Sequence, residues 1–313
     1  MDVLTHVDPA RITRLCARDQ FFWLDLLAPS TADLATLSDL LGLHPLAVED
    51  TSEFGQRPKV DVYDDHVLIV FYTVRADDGR ALPAEVHIHI SGSFIVTARH
   101  DPCAELDRLR QVLATEATKA EDYLVYRILD GLTDAYYPAL DLVEGRVDTL
   151  EGQVLARPHR HQLETVYRLK QEVHDLQRRV AAQRDMMPAA VEAVLKLPGF
   201  SHGTRIYLRD VSDHLAQAAG ELRRQDADLA ALTDVYFNAN TNRLNVVITR
   251  LTIVATFFLV WTLVTSFFGQ NFGWLVEHVD SRTHFLVYGI GGLVVPTILL
   301  GVYFYVRRSQ WWW

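Results

Sequence analysis

Thiol chemistry has little to work with in this sequence: two cysteines, Cys16 and Cys103, stand far apart in 313 residues, and no CxxC spacing occurs. A disulfide framework and a thiolate zinc site are thereby excluded, and a reducing compartment fits. Basic residues are also scarce. Thirty Lys and Arg against 40 Asp and Glu leave a formal charge of -10, the wrong balance for a nucleic-acid partner, whose phosphates are held by clustered cations. Met1 to Arg18 mixes Asp2, His6, Asp8 and Arg11 with short apolar residues and lacks the continuous apolar run of a signal peptide. The N-terminal part is therefore expected in the cytoplasm. No Ser/His/Asp or Cys/His constellation, phosphate loop or HExxH motif is present. Neither an enzyme nor a bound cofactor is expected.

Charge itself is missing from two stretches, Leu251 to Phe268 and Phe285 to Val306. Each reaches the ~17–25 residues that a membrane-crossing helix needs. A buried soluble helix is the alternative for the first, and a second uncharged stretch so close behind weakens it. Arg243 and Arg250 precede the first span and Arg307 and Arg308 follow the second, while the link between them carries Arg282 against Glu277 and Asp280. The positive-inside rule then places both termini in the cytoplasm and the link outside. Trp311, Trp312 and Trp313 read as an interfacial anchor or as a short exposed tail.

Phe21 to His100 has mixed α/β character. Phe21 to Leu27 reads as a strand, and Ser30, with Asp33 three residues on, opens a helix in the manner of a capping box. β-branched runs at Val60 to Tyr63, Val67 to Val74, Glu85 to Ile90 and Phe94 to Thr97 are separated by turn signals and predict a small sheet with helices packed on it. His87 and His89 alternate with apolar neighbours, so they share one strand face. Without a Cys or acidic third ligand at a suitable spacing, they are expected on the polar side of a half-exposed strand rather than around a metal. His159 and His161, beside Pro158, are read as helix-start residues.

Beyond Ala104 the pattern is helical. Tyr123 to Leu155 and His161 to Met187 form a hairpin about Arg157-Pro158. Asp141, Glu144, Asp148 and Glu151 stack carboxylates along one face of its first helix, either as a solvated surface or as one that concentrates cations. Thr204 to Phe268 has no proline and only Gly220, so one helix of about 65 residues and ~100 Å is predicted. Its cytoplasmic stalk carries a heptad seam: Leu208, Leu215, Leu222, Leu229 and Tyr236, with Val211, Ala218, Leu232 and Ala239, interrupted by Gln225. Neighbouring copies or the helices upstream can satisfy it. Further on, Asn238, Asn242, Asn245, Thr249, Thr252 and Thr256 align on one face, and Thr262 and Ser266 continue the polar groups deeper. Uncharged amides and hydroxyls at that depth either line water that carries a hydrated ion or bond helix to helix.

Several segments resemble one family. Thr241-Asn242-Arg243-Leu244-Asn245, Leu251-Thr252-Ile253-Val254-Ala255-Thr256 and Phe268-Gly269-Gln270-Asn271-Phe272 are similar to the pore helix and signature loop of the CorA family of magnesium and cobalt transport proteins. Leu41 to Asp50, Gln56 to Val60 and Leu155 to Pro158 look like its cytoplasmic motifs, so the resemblance covers nearly the whole chain. It implies a funnel-shaped homopentamer in the lipid bilayer of the plasma (inner) membrane, with an α+β cytoplasmic domain built as an α/β/α sandwich, a long stalk helix and two C-terminal transmembrane helices.

Carried over by position, Gly269, Gln270 and Asn271 form the outer mouth, and Asn245, Leu251, Thr252, Thr256, Leu259, Thr262 and Ser266 face the pore. Asp234 and Asp210, and less directly Asp77, match carboxylates that bind regulatory metal between subunits. The implied cargo and regulator is Mg2+, with Co2+, Ni2+ or Zn2+ as further candidates. Gln270 departs from the family's usual Gly-Met-Asn, which opens the choice between magnesium influx and proton-coupled zinc transport of the ZntB type. A non-conducting membrane scaffold or sensor is the reading of another class. The expected division is 1–120 α/β domain, 121–203 helical hairpin region, 204–250 stalk, 251–268 first span, 269–284 periplasmic loop, 285–306 second span and 307–313 cytoplasmic tail.

Overall fold

The computed structural model describes residues 1–115, 121–200, 202–270, 273–279 and 281–311. The elements run β1 (Asp2–Leu4), α1 (Pro9–Ala17), β2 (Phe22–Leu27), α2 (Thr31–Leu41), α3 (Pro45–Ser52), β3 (Lys59–Val62), β4 (Val67–Asp77), β5 (Arg80–Ile90) and β6 (Phe94–Arg99). Helices follow: α4 (Ala104–Thr115), α5 (Glu121–Asp134), α6 (Tyr136–Ala156), α7 (Arg160–Val194), α8 (His202–Phe268), α9 (Gly273–His278) and α10 (Arg282–His284). A π-helical stretch (Phe285–Ile290) then leads into α11 (Gly291–Trp311). The chain forms two compact units, Met1–Thr233 and Asp234–Trp313.

The first unit is built on a six-stranded mixed sheet of order β1-β2-β6-β5-β4-β3. β3 to β6 form an antiparallel meander, and β1, β2 and β6 are parallel. Period-two alternation on β2 explains the layering. Phe22, Leu24 and Leu26 join Ile12, Leu15 and Leu37 of α1 and α2 in one core, while Trp23 and Asp25 point to the other face, where the Trp23 indole donates to Thr97 Oγ1 at 3.0 Å. A strand covered on both faces reads as an uninterrupted apolar run. On that second face the Thr73 hydroxyl donates to the Leu132 carbonyl of α5. The Tyr136 hydroxyl of α6 donates to the Tyr72 carbonyl at 3.1 Å. The sandwich of helices, sheet and helices is the expected one.

Local signals near the start of the chain behave as read. Ser30 and Asp33 exchange both bonds of a capping box, Asp33 N to Ser30 Oγ at 3.1 Å and Ser30 N to Asp33 Oδ2 at 3.0 Å. Gly42 closes α2 in the left-handed region at φ 67, where a Cβ would be strained.

Three expectations are corrected. His87 and His89 are not on a half-exposed face: they are 0% and 1% exposed. α3 and the segment after it cover that face. The Thr51 hydroxyl meets His89 Nε2 at 2.9 Å, and Glu85, bonded to His87 Nε2 at 2.7 Å, accepts the backbone N–H groups of Gly55 and Gln56. Nor is Tyr123 to Leu155 one helix. α5 and α6 separate at Ala135, where Pro138 cannot donate back to the preceding turn and Tyr136 is fully buried. Conversely, α7 continues past Met187 through Pro188 to Val194, held by the burial of Ala190, Val191, Ala193 and Val194.

α8 is a single helix of 67 residues. Its heptad seam is filled by the chain itself: Leu208, Val211, Leu215, Ala218, Leu222, Leu229 and Leu232 are buried within the first unit. The irregular member, Gln225, is buried too and donates to the Leu140 carbonyl of α6 at 2.9 Å. Two helical stretches, Gly203–Phe268 and Arg282–Arg307, contain segments long and apolar enough to cross a membrane. The link between them is not pure loop, since α9 and α10 lie within it.

Candidate functional site

The first span presents two different faces. Phe257, Trp261, Val264 and Phe268 recur at four, three and four residues, which aligns them on one side of α8. That side meets α11. The Trp261 indole donates to Thr297 Oγ1 at 2.8 Å, Phe257 and Phe304 have ring centroids 6.2 Å apart, and a Cβ on Gly292 would stand 3.5 Å from Val264 Cγ1. A Cβ there would make ordinary contact with Val264, so Gly292 lies on the face where the two helices pack.

Most of the polar stripe turns the other way. At about 100° per residue, Thr252, Leu259 and Ser266 fall roughly opposite the Trp261 side, with Asn245 and Thr256 near them and Leu251 and Thr262 at the other flank. α11 leaves that side uncovered: Asn245, Leu251, Thr252, Leu259, Thr262 and Ser266 are exposed and Thr256 is half-buried. The threonine hydroxyls donate to their own helix, Thr252 to the Ile248 carbonyl at 2.9 Å, Thr256 to Thr252 at 2.8 Å and Thr262 to Phe258 at 2.7 Å. Their protons are used, so each oxygen turns lone pairs outward. That is a surface of acceptors suited to a hydrated cation.

At the end of this helix Gly269 N–H bonds the Thr265 carbonyl at 2.9 Å and Gln270 N–H bonds that of Phe267 at 3.3 Å. The helix closes there with Gln270 exposed. Asn271, the third member of the expected mouth, lies outside the described residues, as does Asp280. The anchor expected at Trp311, Trp312 and Trp313 falls outside the described side chains.

The expected regulatory carboxylates occupy separate places. Asp77 ends β4 and pairs with Arg75 at 3.1 Å. Asp234 is exposed on the part of α8 that belongs to the second unit. Asp210 keeps different company. It accepts from the Tyr126 hydroxyl at 3.2 Å and lies 3.9 Å from His214 Nε2. Of the acidic face on α6, Glu144 pairs with Arg224 of α8 at 3.0 Å, while Asp141, Asp148 and Glu151 are exposed.

Around His214 the fold gathers a group that sequence reading missed. Asp130 and Asp134, one turn apart on α5, place carboxylate oxygens 3.4 and 3.9 Å from His214 Nδ1. The three ligand atoms lie within 4.8 Å of one another. Asp130 Oδ1 and His214 Nδ1 are shielded from solvent and have no hydrogen-bond partner among the described residues. Burial, and then the charge of Asp134, push the Asp130 carboxyl above its usual range. Two carboxylates and an imidazole suit Co2+, Ni2+ or Zn2+, and the carboxylates alone suit Mg2+ with retained waters. The signal for this group was in the sequence: Asp130/Asp134 and Asp210/His214 are both (i, i+4) pairs, but nothing local says that the two pairs meet.

The chain as a whole is similar to known proteins. A family model described as CorA-like Mg2+ transporter protein matches residues 18–308. The curated cobalt/magnesium transport protein CorA of Thermotoga maritima is 27% identical over 298 residues, spanning 92% of this chain and 83% of that protein. The zinc transport protein ZntB of Yersinia enterocolitica is 24% identical over 315 residues, spanning 98% and 92%. Among solved structures, the complete CorA magnesium transporter of Methanocaldococcus jannaschii has the same fold, with a TM-score of 0.80 at 21% identity, covering 92% of this chain and 90% of that one.

Proposed function

The chain belongs to the CorA-like Mg2+ transporter family, and on that premise we propose that it is a passive channel for hydrated divalent cations, Mg2+ foremost with Co2+ and Ni2+ beside it. The observation that carries this reading is the two-faced first span. α11 covers the Phe257, Trp261 and Phe268 side and leaves Thr252, Leu259 and Ser266 exposed among the described residues. Polar groups at membrane depth need a wet or protein environment, and copies of the same helix around a central axis supply it.

The proposed assembly is a funnel-shaped homopentamer in the inner membrane with both termini in the cytoplasm. Asn245, Leu251, Thr252, Thr256, Leu259, Thr262 and Ser266 line its pore, and Gly269, Gln270 and Asn271 form its outer mouth. Cytoplasmic Mg2+ holds the pore closed through carboxylates. The group of Asp130, Asp134 and His214, next to Asp210, is the best-formed candidate for that role, with Asp234 and Asp77 as further positions. Asp141, Asp148 and Glu151 would add a cation-attracting surface.

Flux of Mg2+, Co2+, Ni2+ and Zn2+ into liposomes, with and without a proton gradient, tests the reading. Mg2+ flux indifferent to the gradient is expected. Zinc flux that follows the proton gradient, without Mg2+ flux, would replace it with the ZntB-like reading, which Gln270 and the zinc-transporting relative support. A scaffold would conduct neither, and Asn271→Ala would cost it nothing, whereas a channel loses selective uptake.

A further inference from the structure

Where the first residues of β5 meet α6 and α7, the first unit has a cavity of about 420 Å3. Three arginines line it, Arg80 from β5, Arg146 from α6 and Arg168 from α7, in a chain whose formal charge is -10. The carboxylates in the same wall are already engaged. Both oxygens of Glu172 lie 2.9 Å from Arg146 Nη1, and one of them accepts the Ala81 N–H at 2.7 Å. Asp175 pairs with Arg178 outside the cavity.

The arginines are left in surplus. Arg80 has no ion-pair partner among the described residues, and Arg168 bonds the Thr165 hydroxyl at 3.1 Å, a neutral group one turn back. Arg146 spends one terminal nitrogen on Glu172 and the Gly79 carbonyl, which leaves its other nitrogens open among the described residues. Guanidinium forks match phosphate oxygens two at a time, and like charges gathered beyond those their neighbouring acids pair repel until an anion joins them. A single phosphate would match the charge of Arg80 and Arg168 but fill only a small part of the cavity. We propose that this groove binds a polyphosphate chain, inorganic or carried by a nucleoside, with Arg80 and Arg168 as its principal contacts. The site is independent of the transport reading, since it uses none of the residues assigned to the pore or the metal centre.

Calorimetric titration of the detergent-solubilised full chain with tripolyphosphate and with ATP, without divalent cations so that no metal bridges phosphate to a carboxylate, tests the proposal. Saturable binding is expected, weakened roughly tenfold by Arg80→Gln or Arg168→Gln, the loss of one charge-assisted contact. Arg160→Gln, a fully outward arginine on the same helix, should leave it within about twofold, a shift far smaller than one such contact. Equal affinity for the two probes assigns recognition to the phosphate chain alone, and tighter ATP adds a nucleoside contact. Absence of binding, affinity unchanged when Arg80→Gln and Arg168→Gln are combined, or sulfate binding as tightly as tripolyphosphate would each overturn it.

Discussion

His214 Nδ1 stands 3.4 Å from Asp130 Oδ1, and neither atom has a hydrogen-bond partner among the described residues. Two helices far apart in sequence, α5 and α8, thus meet over an electrostatic deficit that a cation would fill.

Divalent metal should therefore stabilise the protein. A ligand at 100 times its dissociation constant adds about 2.7 kcal/mol, so Co2+ should raise the thermal midpoint by several degrees. His214→Ala should cut the Co2+ effect more than the Mg2+ effect, because imidazole favours the transition metal. An undiminished Co2+ shift in that variant would remove His214 from the centre. Asp130→Asn should abolish the metal effect yet raise the metal-free midpoint at neutral pH. The folded-state pKa of Asp130 is raised above 3.8, so its ionisation opposes folding, and the neutral amide relieves it.

Gln225 should be replaceable. It sits in the heptad seam, 2% exposed, with Nε2 bonded to the Leu140 carbonyl and Oε1 without a hydrogen-bond partner among the described residues. Gln225→Leu removes a buried acceptor left without a bond and restores the apolar repeat. Stability in denaturant titration should change by less than about 1 kcal/mol in either direction; a loss of several kcal/mol would mean that the amide organises the α6–α8 contact.

The bond from Trp261 to Thr297 ties the two candidate spans. Trp261→Phe and Thr297→Val should each lower the thermal midpoint in detergent, and the double variant should fall short of their sum by about 0.6 kcal/mol, the usual worth of such a bond in a membrane. Strict additivity would show that the pair is not engaged.

Acid should weaken the sheet unit through its buried histidines. Burial lowers His89 from 6.5 to about 3 and lowers His66 as well. Below pH 6.5 the unfolded chain gains protons that the folded chain refuses, so stability is full above that pH and falls toward pH 3, by about 1.4 kcal/mol per pH unit for each proton involved. Glu85 adds to the loss at the acid end. Burial alone would raise it, but bonds from His87, Gly55 and Tyr72 hold it below 4.5, so its contribution disappears as pH falls through the lowered value. Urea titrations at a series of pH values read the slope, and His89→Asn should flatten it between pH 6 and 4, a range set by the histidine's ordinary pKa of about 6.5.

Legibility followed the range of the interactions. The capping box at Ser30 and Asp33, the strands and the 67-residue helix rest on neighbours in sequence, and their periodicities were readable. The burial of His87 and His89 was not, because it depends on α3 and on Gly55 folding over β5. Likewise the seam of α8 announced a partner without saying which, and the chain's own α6 answered through Leu140 and Gln225. The centre at His214 needed the same long-range meeting. Its three members and the neighbouring Asp210 were visible as two helical pairs, but α5 and α8 are joined only in three dimensions.

That seam also sets an order of events during synthesis. Leu229 and Leu232 are core residues of the first unit, yet they are made after everything else in it and shortly before the uncharged run that begins at Leu251. α5 and α6 must wait with their apolar faces open until the ribosome has nearly delivered the first span. Completion of the first unit and capture of the nascent chain by the membrane are thereby brought close together in time, and a chain stopped ahead of α8 would be left with an unfinished core rather than a smaller protein.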